Sequence, residues 1–244
     1  MNHRLQALLR LFAVQGTWNY ERMLGVGMGY AAEPLLEDLK AIDPVRHGEA
    51  VVRSAEFFNC HPNLAGLALG ATARAEYEGV PGVQIVRLRT ALCSPLGSLG
   101  DQLFWAGLLP SLLGITLAAL VLGAPWWIIL VFLAAYNMVR IWTGVWSLRT
   151  GLANGMRVGG AINASWLPRA SEWAGPAAGF AIGLALPLVA AWYLKGFGWS
   201  AGIGAAGVAV AGIALTRWFG PGLTSVRFAL MAMVLLLLFR RIGL

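Results

Sequence analysis

The sequence is short of charge. Only 12% of its 244 residues are charged and 58% are hydrophobic, whereas ordinary soluble domains carry about 25% charged residues. The mean hydropathy is +0.68. That balance excludes an ordinary soluble domain. Acidic residues run out almost entirely past position 101, where only Glu172 remains. Residues 1–101 carry a net charge of −1 and the remainder +8. The basic residues flank long apolar runs instead of forming a patch, which argues against nucleic acid as a partner. Arginines at the ends of apolar spans serve membrane topology instead. Two cysteines, Cys60 and Cys93, supply neither a disulfide framework nor a metal spacing, and read as small apolar residues. The three histidines, His3, His47 and His61, are scattered. There is no P-loop, no HExxH and no Ser-His-Asp order, and the glycine runs at 25–29 and 94–100 do not match a dinucleotide fingerprint. No cofactor and no metal are expected. A signal peptide is not expected either, because Arg4 and Arg10 interrupt the first apolar stretch, where Leu5, Leu8, Leu9 and Phe12 recur at helical spacing.

What is present is helical and oily. Residues 3–14 predict an amphipathic helix that lies on a membrane surface, on a partner or on its own domain. Gly25, Gly27 and Gly29 alternate and are expected to loosen regular structure, with a new helix beginning at Glu33-Pro34. A third helix is expected from His47 to Asn59, placing Glu49 and Glu56 on one face. Residues 63–75 are small and apolar but too short to span, and read as a re-entrant segment surrounded by protein. Gly79-Val80-Pro81-Gly82 is a turn, and residues 83–92 read as a helix with Arg87 and Arg89 exposed. Ser94-Pro95-Leu96-Gly97-Ser98-Leu99-Gly100-Asp101 reads as a glycine-rich break before an apolar span: either a broken helix presenting Asp101 to a substrate or a loop that Asp101 caps. Apolar runs follow at 103–122, 125–146, 174–194, 199–216 and 223–239, each long enough to cross or enter a bilayer. Gly123-Ala124-Pro125 is a hairpin. Arg140 lies within the second run and faces protein or water, or else snorkels to the interface. Residues 147–173 read as a hydrophilic cytoplasmic return; Arg240 and Arg241 also pull towards the cytoplasm, whereas alternation of the spans would put them outside, so one of the five runs reads as re-entrant. Trp192, Trp199 and Trp218 suit interfacial belts. The fold class expected is all-α: a polytopic integral membrane protein with an N-terminal amphipathic region, 1–101, and a transmembrane region, 102–244, holding about five spanning or re-entrant segments.

The residues suited to chemistry are polar groups in this apolar setting. Gln15, Asn19, Glu21, Glu56, Asn59 and Asp101 can bond hydroxyls, and Trp18, Phe57 and Phe58 can stack on the apolar face of a ring. Such a set suits a neutral polyol, with Trp18, Asn19, Glu21, Glu56, Asn59 and Asp101 as candidate binding residues. A structural alternative pairs Glu21 with Arg22 and Arg53 with Glu56. His61, beside Pro62, is either functional or a partly buried structural histidine.

The motifs carry a resemblance. Gln15-Gly16-Thr17-Trp18-Asn19-Tyr20-Glu21-Arg22-Met23 resembles the signature of the IID membrane subunits of mannose/fructose/sorbose-type phosphotransferase systems. Glu56-Phe57-Phe58-Asn59 with Pro62 resembles the second block, and Pro95-Leu96-Gly97-Ser98-Leu99-Gly100-Asp101 with Phe104-Trp105 the third. Asn137-Met138-Val139-Arg140 and Pro221-Gly222-Leu223 resemble later landmarks. The resemblance implies a multi-pass subunit of the bacterial inner membrane that moves a hexose together with a IIC subunit, as a higher oligomer of IIC–IID pairs. It implies that cytoplasmic IIA and IIB proteins carry the phosphate, so that this chain has no phosphorylation site and is no enzyme by itself. It also implies an N-terminal vestibule, with Trp18, Asn19, Glu21, Glu56 and Asn59 near the sugar path. The chain departs from the family pattern at Ser54, at Tyr77 and at Leu109, where the family carries an arginine. The other reading of the resemblance is a degenerate homologue with a regulatory or scaffolding role and no transport.

Overall fold

The computed structural model describes residues 3–194 and, beyond them, Gly207 alone. The expected segments at 199–216 and 223–239, the belt residues Trp199 and Trp218, Pro221-Gly222-Leu223 and the Arg240-Arg241 pair therefore lie outside the described residues, save Gly207. Residues 1–186 form one compact unit and 187–244 another. The first is described below. Among the described residues every regular element is a helix.

Helix α1 (His3–Phe12) is amphipathic and buries Ala7 and Leu11, packing against α2 (Gly25–Ile42) of its own domain. Arg10 anchors it. Its guanidinium pairs with Glu33, sits 4.1 Å over the Tyr30 ring and donates to the Tyr30 carbonyl at 2.7 Å. That carbonyl is free because Pro34, four residues on, has no N–H to give it. Proline is thus accommodated inside α2, and no new helix begins at Glu33-Pro34. The glycines do not loosen α2 either. Gly25, Gly27 and Gly29 are helical and let other backbone approach: a Cβ on Gly27 would lie 2.7 Å from the Val14 carbonyl oxygen, and one on Gly29 would lie 2.8 Å from the Ala55 Cβ. Tertiary contact overrides the low helix propensity of glycine.

Asp43 caps α3 (Pro44–Ser54), its Oδ1 accepting from the Arg46 N–H at 2.9 Å. The helix stops at Ser54, short of Asn59, so Glu49 and Glu56 do not share a helical face. Helix α4 (Ala65–Tyr77) lies in the middle of the unit. Nine consecutive residues, Ala65 to Ala73, are buried, so the surrounding protein expected for this segment is present. Its glycine face meets α7 (Ile128–Asn154) backbone to backbone. A Cβ on Gly70 would fall 2.5 Å from the Leu152 nitrogen and 2.6 Å from the Leu148 carbonyl oxygen. Small residues at such a seam permit the close packing on which apolar helices depend when hydrophobic transfer offers little.

The end of α4 holds the buried charge. Glu76, 3% exposed, takes Arg53 in a two-bond fork at 2.9 and 3.2 Å and Arg46 at 3.0 Å. Arg53 therefore pairs with Glu76, and the anticipated Arg53–Glu56 pair does not form. Tyr77 enters the hydrogen-bond ladder of α2: its hydroxyl accepts from Leu39 N–H at 3.1 Å and donates to the Leu35 carbonyl at 3.0 Å. This is the position at which the family pattern has a glutamate.

From α5 (Gly82–Gly100) the chain runs on without a break through a π-helical stretch, Asp101–Leu108, into α6 (Leu109–Val121). The glycine-rich stretch before 101 is neither a broken helix nor a loop, and Asp101 caps nothing. Arg89 is 3% exposed, not on the surface as its position suggested. After the turn at Gly123, whose φ is +98°, α7 continues past the apolar run to Asn154 because Ser147, Leu148 and Gly151 are still buried. The expected hydrophilic return at 147–173 is instead helical in large part: the end of α7, a 3-10 turn, α8 (Val158–Asn163) and the start of α9 (Leu167–Leu194). Three helices, Gly82–Val121, Ile128–Asn163 and Leu167–Leu194, are long and apolar enough to cross a membrane. They take up most of the first and second of the five apolar runs and all of the third.

Replacing Gly70 by valine puts a branched side chain where backbone now stands, and overpacking of this kind costs about 1–3 kcal/mol or more. The melting temperature of Gly70→Val in detergent is expected to fall by several degrees, while Gly48→Ala, with open space around its Cα and a better helix former inside α3, does not lower it.

Candidate functional site

Two polar stretches, far apart in sequence, are joined through their backbones. A 3-10 turn, Val14–Thr17, leads into a tight loop held by Asn19. The Asn19 Oδ1 accepts from the N–H groups of Glu21 (3.1 Å) and Arg22 (2.8 Å), and its Nδ2 donates to the Thr17 carbonyl at 3.2 Å. Asn19 and Met23 exchange two backbone bonds across the loop, and Met23 adopts φ +51°. The chain then pairs with the stretch after α3. Leu24 N–H donates to the Phe58 carbonyl at 2.9 Å, and Phe58 N–H to the Arg22 carbonyl at 3.3 Å. At the crossing, Gly25 lies so close to the Glu56 carbonyl that a Cβ would overlap it.

This pairing sorts the candidate residues. Trp18 is 45% exposed, with its ring edge-on to Tyr20 at 4.8 Å. Glu21, Glu56, Phe57 and Asn59 are exposed on the same paired stretches. The Asn19 amide is engaged in shaping the loop. Phe58 is fully buried under the Arg89 guanidinium, 5.1 Å from its ring, so it belongs to the core and is not a stacking platform. Arg89 Nη2 also donates to the Glu56 carbonyl at 3.1 Å. Glu21 and Arg22 form no ion pair with each other. Asp101 stands apart: it is exposed on the π-helical stretch, and no hydrogen bond among the described residues ties it to the other five. Glu56 also borders an open groove of about 760 Å³ between α3 and α5, together with Glu49, Arg53 and Arg87.

A smaller, more enclosed cavity of about 280 Å³ lies where the two stretches meet the long helices. It is lined by Gln15, His61, Pro62, Asn63, Trp105, Leu109, Tyr136 and Arg140. His61 is 2% exposed and caps the 3-10 turn Pro62–Leu64, its Nδ1 accepting from the Asn63 N–H at 3.2 Å. The proton is thereby assigned to Nε2, which has no hydrogen-bond partner among the described residues. The ring stacks on Phe104, centroids 4.7 Å apart, and lies 5.6 Å from the Trp105 ring. Its other neighbour is the backbone at Gly100, where a Cβ would approach His61 Cγ to 2.5 Å. Burial first, and the Arg140 charge second, bring the His61 pKa down to about 4, so it is neutral at pH 7. Arg140 faces protein and does not snorkel: its Nη2 donates to the Phe12 carbonyl at the end of α1, at 3.2 Å. Next to the cavity, burial raises the Cys60 thiol far above its ordinary pKa. No group of three His, Cys, Asp or Glu side chains converges as a metal site among the described residues.

The family model described as "PTS system mannose/fructose/sorbose family IID component" matches residues 2–183, a stretch that includes both paired strips and every residue of the cavity. The chain belongs to this IID family. Among its relatives, the mannose-specific EIID component of Escherichia coli (strain K12) is 28% identical over 175 residues, covering 68% of this chain and 60% of that protein. The fructose permease IID component of Bacillus subtilis (strain 168) is 32% identical over 148 residues, covering 59% and 53%. The chain thus spans little more than half the length of these relatives. A solved structure described as "CryoEM Structure of Mannose Transporter ManYZ and Microcin E492 (MceA) complex" matches with a TM-score of 0.57 and 26% identity, over 74% of this chain and 68% of that one. A second, described as "Structure of membrane protein", matches with a TM-score of 0.61 and 25% identity over the same shares. This IID chain is a membrane protein with at least three apolar helices of spanning length.

Sequence reasoning named the rim and, on the wall, Gln15, Trp105 and Arg140 within the motif blocks. His61 was open to a functional or a structural reading, while Tyr136 carried no local signal. The visible cue was an arginine inside an apolar run.

The neutral His61 has a consequence for stability. Its folded pKa lies below the unfolded value, so the unfolded chain takes the proton first. The stabilisation is complete above about pH 6.5 and is lost as pH falls towards 4, amounting to about 3 kcal/mol at most. Thermal melting in detergent is expected to show wild type losing stability relative to His61→Phe between pH 6.5 and 4.5. Parallel pH profiles contradict the assignment.

Proposed function

We propose that this chain is the IID subunit of a hexose phosphotransferase transporter of the bacterial inner membrane, crossing it several times and forming the translocation unit with a IIC subunit. The observation that carries this reading is that the two polar stretches inside the family match pair with each other and present their polar side chains together. In the proposed mechanism, alternating access exposes the rim. Glu56 and Asn59 bond sugar hydroxyls, Trp18 faces the ring, Glu21 and Asp101 add acceptors along the path, and Asn19 holds the loop that carries its neighbours. Residues 1–101 act as the vestibule and motif region and 102–244 as the transmembrane region. Phosphate comes from cytoplasmic IIA and IIB proteins, so the chain needs no phosphorylation site of its own. The working form is a higher oligomer of IIC–IID pairs.

One observation favours a second reading, a regulatory or scaffolding homologue without transport. Leu109, where the family carries an arginine, lines the cavity. Sugar uptake and phosphorylation in membranes containing this chain, its IIC partner and the soluble carriers separates the two. Loss of a charged hydrogen-bond partner costs about 1.5–3 kcal/mol, so Glu56→Ala is expected to lower uptake by about tenfold or more, and Asn59→Ala by less. Full uptake by both variants removes the rim assignment, and no uptake by wild type with a verified partner favours the regulatory reading.

A further inference from the structure

The two ends of the long helices are built differently. Helix α9 runs beside α6, with Ala174 against Gly107 and Ala181 against Gly114, and the Ser171 hydroxyl donates to Gln102 Oε1 at 2.9 Å. Gln102 stands about twenty residues before the turn at Gly123, which is ~30 Å of helix and the thickness of a hydrocarbon layer. The turn end shows two exposed indoles, Trp126 and Trp127, and no charged residue from 122 to 139. The Ser171 end carries indoles and arginines together. On α7, Trp142, Trp146 and Arg149 recur at i, i+4 and i+7 and share one face. Trp166 heads α9, its carbonyl accepting from the Ala170 N–H at 3.0 Å, and Arg169 and Trp173 follow it at i+3 and i+7 on one face. The Trp166 ring joins the two faces, 4.8 Å from the Trp142 ring and 5.1 Å from that of Trp146. Trp142, Trp173 and both arginines are exposed.

These arginines want an anion. Among the described residues no ion pair includes Arg149 or Arg169, although Asp101 and Glu172 are exposed at the same end. Arg169 stands in the first turn of α9, which holds no acidic residue, and the positive end of the helix dipole adds to its charge. Indoles settle at the headgroup level of a bilayer, and a guanidinium fork matches phosphate oxygens. We propose that Arg149 and Arg169 form a seat for the phosphate of anionic phospholipids, whose acyl chains lie along Trp142 and Trp173. The arginine-bearing end faces the cytoplasmic leaflet, where anionic lipid attracts such groups. A zwitterionic lipid offers the same phosphate with its charge already compensated, so the seat selects for net negative charge. The proposal needs only the embedding of this chain in a membrane and stands apart from the transport reading.

The test uses the full chain co-expressed with its IIC partner, purified in neutral detergent and titrated with phosphatidylglycerol or phosphatidylcholine. The readouts are the melting temperature and the lipid retained after gel filtration. Wild type is expected to be stabilised by phosphatidylglycerol at lower concentration than by phosphatidylcholine, and to retain more of it. Each arginine is expected to account for about a fivefold share of that preference, so Arg149→Gln with Arg169→Gln weakens it by about tenfold or more. Arg87→Gln removes an exposed charge about fifteen residues before Gln102, ~20 Å of helix away, and is expected to leave the preference unchanged. Wild type without a preference overturns the proposal, as does a double variant within twofold of wild type. An equal loss in Arg87→Gln overturns it in favour of diffuse attraction. Stabilisation by inorganic phosphate at the same concentration as by phosphatidylglycerol overturns the lipid in favour of a free anion. Release of the IIC partner from the double variant, with the lipid preference intact, overturns it by giving this face to that partner. Should the double variant fail to assemble, the two single variants decide by the same criterion.

Discussion

At Gly25 the start of α2 runs against the Glu56 carbonyl with no room for a side chain, and the rest of the site follows from that contact. It brings residues 19–24 alongside residues 56–58, so that Leu24, Arg22 and Phe58 pair through their backbones. It ends α3 at Ser54 and turns the chain towards His61. The same device recurs at Gly100 against the His61 ring and at Gly70 against α7. In a chain this apolar, side-chain burial gains little against lipid, and close backbone packing is the more useful source of specificity.

The buried Arg89 and the half-buried Arg140 are held by carbonyls and rings. Arg140 donates to the Phe12 carbonyl and Arg89 to that of Glu56 while lying over Phe58. Among the described residues, only at Glu76 does a buried carboxylate collect two arginines. Removing one partner from such a buried cluster is far more costly than never having built it, so Arg46, Arg53 and Glu76 tie α3 to the end of α4 as a unit. The cluster lies outside the cavity lining, which leaves Arg140 as the one cationic side chain among the described residues that line that cavity.

Much of the fold was legible in the sequence where the signal is local. The turns at Gly79–Gly82 and Gly123–Pro125, the amphipathic α1 and three apolar runs all stand where composition and period place them. The misses share a cause. Gly25, Gly27 and Gly29 look disruptive until the backbone they admit is known, and that backbone belongs to residues far along the chain. Pro34 looks like a helix start until Arg10 takes the carbonyl it frees. Phe58 and Phe57 are adjacent aromatics of equal promise, and only the strand-like pairing decides that one is core and the other exposed. The cavity was the least legible feature, because Gln15, His61, Trp105 and Arg140 converge from four separate stretches.

The family assignment holds over residues 2–183, and within that span the rim and the cavity are two levels of one structure, fixed to each other by the Gly25 crossing. Hexose protection of a cysteine placed on the rim tests the proposed sugar path most directly. Asn59→Cys carries the probe, in a Cys93→Ser background within the assembled transporter. The native Cys60 is buried and its thiol is held protonated, so it labels slowly. Hexose is expected to slow maleimide labelling at Asn59→Cys in a concentration-dependent way. Labelling at Asn59→Cys that ignores hexose contradicts the claim.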